Sequence, residues 1–172
     1  MESNLIKYAI LFCLLALSLY TDLKESKIRN KHIAFFALAG VTFNFIYYGV
    51  EGLNISAGGI LIPVMLLGIF FCLRLIGAGD IKLFSAIGAL LGWKCGIYIM
   101  AYSFLFAGII SFAGLLRKRE IRSTFSDFYG EIRLCIYTKN FIWLSGRNKK
   151  HIIRLSPAIA MGVCFQLLTG LY

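Results

Sequence analysis

Along the 172 residues, apolar runs of near-membrane length alternate with short polar breaks, and six are legible: 5–20, 33–46, 58–76, 80–95, 96–116 and 156–172. A bilayer core about 30 Å thick takes roughly 20 apolar residues of helix. The pattern therefore predicts an all-α, polytopic membrane protein with six transmembrane helices in one domain over 1–172. The first run ends in Thr21-Asp22 and a basic loop from Lys24 to Lys31. Charged residues follow it rather than a small-residue cleavage site, so it is expected to stay in the mature protein. The second run closes on Tyr47-Tyr48, an aromatic pair suited to the interface. A short connection over 49–56 carries Glu51, and the third run ends near Arg74, placed to snorkel to the headgroups.

The fourth run is the least regular. From Lys82 to Leu91 there are ten residues, about 15 Å of helix, too little to cross the hydrocarbon. The helix is therefore expected to start at Gly79 or Asp80 and to reach Cys95, roughly 24 Å. Asp80 then lies at the membrane boundary, and Asp22, at the end of the first run, shares its level. Ionisable residues beside a span are costly to keep and mark a functional site with a partner. Ser18 lies one turn before Asp22 on the same helix face and Thr21 is adjacent, so both offer hydroxyls to the carboxylate. The plainer alternative makes Asp22 a solvated loop residue countering Lys24. Gly77 and Gly79 give room for close backbone approach, and Asp80 is equally suited to cap the fourth helix. Gly88, Gly92 and Gly96 form two overlapping Gly-x-x-x-Gly steps, expected to be a packing seam along that helix.

Composition sharpens the class. With 59% hydrophobic residues, 15% charged and a mean hydropathy of +0.79, the chain is too apolar to cover a soluble core. Of the 18 Lys and Arg, 16 fall in segments that alternation puts on one side, with Lys7 and Lys94 opposite. Basic segments stay cytoplasmic, so both termini are expected outside and the aspartates at the cytoplasmic face. The net charge of +10 then meets anionic lipid; no nucleic-acid module is apparent. In the long polar connection over 117–155, Phe125, Phe128, Ile132, Cys135 and Ile136 recur at helical spacing behind Ser123 and Thr124. That spacing predicts an amphipathic cytoplasmic segment on the inner leaflet, with Phe141-Ile142-Trp143-Leu144 dipping further in.

Inventory narrows the chemistry. There is no His-Glu-x-x-His pair, and His32 and His151 lie beside basic residues. Ser103 and Ser111 belong to a run without a base. The five cysteines never stand as Cys-x-x-Cys. Metal, disulfide and serine chemistry are set aside, and no cofactor is expected.

Gly77-Ala78-Gly79-Asp80-Ile81-Lys82-Leu83, followed by Ala86-Ile87-Gly88-Ala89 and Gly92-Trp93, resembles the second active-site segment of the prepilin peptidases, the GxGD-type aspartic proteases of type IV prepilins. Thr21-Asp22-Leu23 with Ile28-Arg29-Asn30 is similar to their first segment, although Arg29 stands where proline is frequent. Ser156-Pro157-Ala158-Ile159-Ala160-Met161-Gly162 resembles the entry into their last helix. The resemblance implies that Asp22 and Asp80 are catalytic, with Gly77, Gly79, Lys82 and Ser18 shaping the site. It implies a membrane-anchored, prepilin-like precursor as substrate, cut at the cytoplasmic face before its hydrophobic helix, typically after glycine. Longer relatives also N-methylate the product and carry a cysteine-rich insertion ahead of the first aspartate. With 21 residues before Asp22 and no cysteine pair, the short, peptidase-only form is expected.

Two close carboxylates in a poorly solvated site share one proton, so that one acts as base toward water and the other as acid toward the scissile carbonyl and leaving amine. Lys82 is expected to bias that balance or to pair with a lipid phosphate. Two other classes fit an acidic pair: an ion- or proton-coupled transporter, and a non-catalytic membrane protein of pilus or secretion assembly. The transporter fits less well, because the acids lie at one face and no run shows a polar stripe crossing the bilayer. Oligomeric state is left unassigned.

Overall fold

The computed structural model describes residues 2–25, 30–72, 76–118 and 155–170. Every element among them is helical: α1 (Glu2–Glu25), α2 (Asn30–Cys72), α3 (Ala78–Leu91), α4 (Trp93–Lys118) and α5 (Ser156–Thr169). Three of these, α1, α2 and α4, are long and apolar enough to cross a membrane. The expected amphipathic segment over 117–155 falls almost wholly outside the described residues, as do Arg74 and the middle of the basic loop after α1. The chain divides into two compact units: Met1–Phe106 with Arg154–Tyr172, and Ala107–Ile153. Of the second unit, the described part is the C-terminal half of α4.

Within the first unit, α2 is two helical arms folded about one residue. Gly49 stands at φ 59°, ψ −137°, a left-handed conformation that only glycine enters cheaply. The arms, 30–48 and 50–72, fold back on each other, and the Asn44 amide reaches the Ser56 hydroxyl at 2.8 Å. This corrects the expected connection over 49–56: apart from Gly49, that stretch is helix.

The shortest inner helix is the central one. Every residue of α3 from Leu83 to Leu90 is buried, and a helix apolar on all sides is one enclosed by protein. Glycines let its neighbours approach: a Cβ on Gly59 would strike the Gly88 carbonyl, and one on Gly40 would come within 3.1 Å of the Ala89 and Leu90 backbone. α3 stops at Leu91 because Gly92 takes φ 90°, and α4 begins at once with Trp93. The expected helix from Asp80 through Cys95 is thus corrected to a 14-residue helix, about 21 Å long.

The glycine seam is corrected with it. Gly88 packs on Gly59, Gly92 makes the turn, and Gly96 belongs to α4, where its face meets the Gly88 Cα at 3.6 Å. Phe84 of α3 and Phe104 of α4 stack with centroids 6.1 Å apart, so the two helices run antiparallel from the Gly92 turn. α5 crosses α4 at Gly162, whose missing side chain leaves room for Ser103, and Phe165 packs on Tyr102 and Phe106. α1 touches α2, α3 and α5. Large apolar side chains such as Phe35, Leu38, Met65, Ile69 and Leu168 remain outward, a surface that suits lipid rather than water.

Candidate active site

The C-terminal turn of α1 and the N-terminal turn of α3 carry the two aspartates. Asp22 lies inside α1, three residues from its end, which overturns the alternative of a solvated loop residue. It is half-buried, and its Oδ2 is buried without a hydrogen-bond partner. The Thr21 hydroxyl does not serve that carboxylate: it donates to the carbonyls of Leu17 (2.9 Å) and Ser18 (3.1 Å), its own helix. Ser18 is buried one turn before Asp22, yet the orphaned Oδ2 shows that the expected hydroxyl bonds do not satisfy it.

Asp80 is the third residue of α3, with Gly77 as N-cap at φ −73°, ψ 145°. Its own N–H donates to the Gly77 carbonyl at 3.1 Å, and its carboxylate is hydrogen-bonded by the Gly77 backbone. An acid three residues into a helix that reaches back to the cap is the reciprocal half of a capping box, so the capping alternative for Asp80 holds alongside any chemistry. A Cβ at 77 would sit 3.1 Å from Asp80 Oδ2, so the carboxylate would have to shift by a few tenths of an ångström to admit one. Gly79 is half-buried in the same turn.

The carboxylates interact. The charge of Asp22 acts on Asp80, whose carboxylate is part-buried and takes the Gly77 hydrogen bond. A group that feels its neighbour's charge this way is close enough for the two acids to compete for ionisation. The Lys82 ammonium donates to Asn30 Oδ1 at 3.0 Å, tying the first residue of α2 to the first turn of α3. Among the described residues no His, Cys, Asp and Glu gather in threes or more as a metal site would require.

The other end of the unit is differently furnished. Lys7 lies 5.9 Å from the Tyr48 ring and Lys94 lies 5.7 Å from the Trp93 ring. Between the two ends, Asn44 donates to the carbonyls of Ala89 (2.8 Å) and Leu90 (3.3 Å), and Ser56 donates to Ala89 at 3.0 Å. These are carbonyls that the end of a helix leaves without intrahelical donors. The sequence reading passed over both residues, although an Asn and a Ser twelve positions apart in apolar helix were the available signal.

An enclosed short helix, flanked by long apolar ones and bearing at its N-terminus a carboxylate opposed by a second, defines an integral membrane protein with an acidic site at one end. The family model described as the type IV leader peptidase family matches residues 9–112, which include Ser18, Asp22, Gly77, Gly79, Asp80 and Lys82. The chain belongs to that family. Neither the curated proteins nor the solved structures give a match.

Proposed function

We propose that this peptidase is of the aspartic type and that Asp22 and Asp80 share its catalytic proton. The observation that carries the reading is that the charge of Asp22 acts on Asp80 at one end of the bundle, where Asp22 Oδ2 is left without a partner. With one proton between them, the ionised member takes a proton from water as the water attacks the scissile carbonyl. The protonated member donates to the developing oxyanion and then to the leaving amine. Gly77 leaves room at the Asp80 carboxylate, Gly79 shares that turn, and Lys82 braces it through Asn30.

The site sits at the end of the unit where Lys24, Lys31 and Lys82 cluster, which is the cytoplasmic end by the distribution of basic residues. On this reading six helical segments alternate across the membrane, the arms of α2 counting separately, with both termini outside. The substrate is a prepilin-like precursor whose leader is removed at the cytoplasmic face, without N-methylation. Its hydrophobic helix supplies the binding energy, because two basic partners do not attract at long range.

Purified protein in lipid or detergent, incubated with a prepilin-like precursor, tests this. Wild type is expected to release the leader, while Asp22→Asn and Asp80→Asn each reduce cleavage below detection and keep the thermal transition of a folded protein. Cleavage at the wild-type rate by either variant removes that residue from the mechanism.

A further inference from the structure

Two buried polar atoms in the first unit are complementary and both unpaired. One is an acceptor, Asp22 Oδ2 on α1; the other is the Ser156 hydroxyl in the first turn of α5, 2% exposed and without a hydrogen-bond partner. α1 and α5 pack together. Unsatisfied buried polar groups are uncommon enough that each calls for an explanation, and a donor and an acceptor left over on adjoining helices explain one another.

Depth along the bundle agrees. α4 serves as a ruler: Phe84 of α3 meets it at Phe104, and Gly162 of α5 meets it at Ile99–Ser103. Asp80 lies four residues before Phe84 along α3, about 6 Å, and Ser156 lies six before Gly162 along α5, about 9 Å. The basic residues Lys149, Lys150 and Arg154 precede α5 as Arg74 precedes α3, so both helices enter from the same face. Taking the two crossings together, Ser156 and Asp80 come to one level within about a helical turn. Asp22, whose charge acts on Asp80, is at that end too.

We propose that Ser156 is a positioning residue of the acidic pair: with substrate in the site its hydroxyl donates to Asp22, keeping Asp22 as the ionised member and leaving the shared proton on Asp80. This rests on the aspartic reading above. It assigns Asp22 as the base toward water and Asp80 as the acid toward the carbonyl. No covalent step falls to Ser156, and its proton stays on its own oxygen. Hydrogen bonds that matter in catalysis are often open in the free enzyme and tighten in the complex, which accounts for the unpaired atoms seen here. Among the described side chains, the other charged or titratable groups toward this end are Asp80 and Lys82 on α3, Tyr20 and Lys24 on α1, and Lys31, His32 and Cys72 on α2; α5 itself contributes none beyond Cys164.

The test uses full-length protein in lipid with Ser156→Ala and Ser156→Thr. A hydrogen bond to a charged group is worth about 1.5–3 kcal/mol, so Ser156→Ala should lower kcat about 10- to 100-fold at the acid end of the profile. It should also move the acid limb of the pH–rate curve upward, with KM little changed; Ser156→Thr, which keeps the hydroxyl, should restore the limb. An acid limb that stays in place in Ser156→Ala, or equal losses in both variants, overturns the proposal.

A second measurement needs no turnover. The infrared carbonyl band of protonated carboxyl groups, followed by pH in an Asp80→Asn background with a prepilin-like precursor bound, should show one group titrating at higher pH once Ser156→Ala is added. An unchanged band overturns the Ser156 assignment on its own. Wild type that cleaves no precursor, with the band nevertheless shifted, would sink the protease reading and leave the Ser156–Asp22 contact standing.

Discussion

At the scale of single residues, the glycine sites divide sharply. A Cβ at Gly59 falls on the Gly88 carbonyl, which is backbone and cannot swing aside, whereas Gly68 has open space around it. Gly59→Ala should cost about 1–3 kcal/mol, while Gly68→Ala should be neutral or mildly stabilising, since alanine is the better helix former. Equal melting temperatures for the two variants would refute the close crossing. Both aspartates were legible because an acid at the edge of an apolar run is expensive. The pairing of Lys82 with Asn30 was not, because it joins residues 52 positions apart and no local pattern encodes it.

Elements explain why a helix too short for the bilayer is tolerated at all. A helix end inside apolar surroundings exposes carbonyls that water cannot reach, each costing several kcal/mol in lipid. Here the Gly92 N–H closes on the Gly88 carbonyl at 2.7 Å, and Asn44 and Ser56 supply donors to Ala89 and Leu90. Those two side chains, one from each arm of α2, hold the far end of the helix whose near end bears Asp80. Asn44→Ala should cost about 1–3 kcal/mol by orphaning buried carbonyls. Because Asn44 and Ser56 bond each other as well as Ala89, the double variant should lose less than the sum of the single losses. A double-mutant cycle on the melting free energies in detergent measures this, and strict additivity would show the network is not shared. The run lengths revealed helices but not where they break. Gly49 and Gly92 turn the chain with one residue each, through positive φ values that no hydropathy window registers, and so the predicted connection and the predicted fourth helix were both drawn too long.

For the whole molecule, the arrangement makes orientation the property on which function depends. One end of the first unit holds Asp22, Asp80 and the Lys82–Asn30 tie; the other holds Lys7 against Tyr48 and Lys94 against Trp93, cations parked over aromatic rings. Lone cations beside interfacial aromatics are compatible with the outer surface, whereas clustered basic residues resist translocation. A reporter that is active only outside the membrane, fused after Gly49, should therefore be active, and the same reporter fused after Ile28 or after Arg119 should be silent. The reverse pattern would place the acidic pair outside. On the proposed reading a leader-bearing precursor is cut at the inner face, so that result would separate the site from its substrate however well the two carboxylates were matched. Hydropathy made the long apolar helices readable from the chain alone, because it is a sum over many residues and tolerates errors at each helix boundary. Asp22 Oδ2 is left without a hydrogen bond, and only the packing of α1 against α5, far apart in sequence, brings Ser156 into view as its candidate partner.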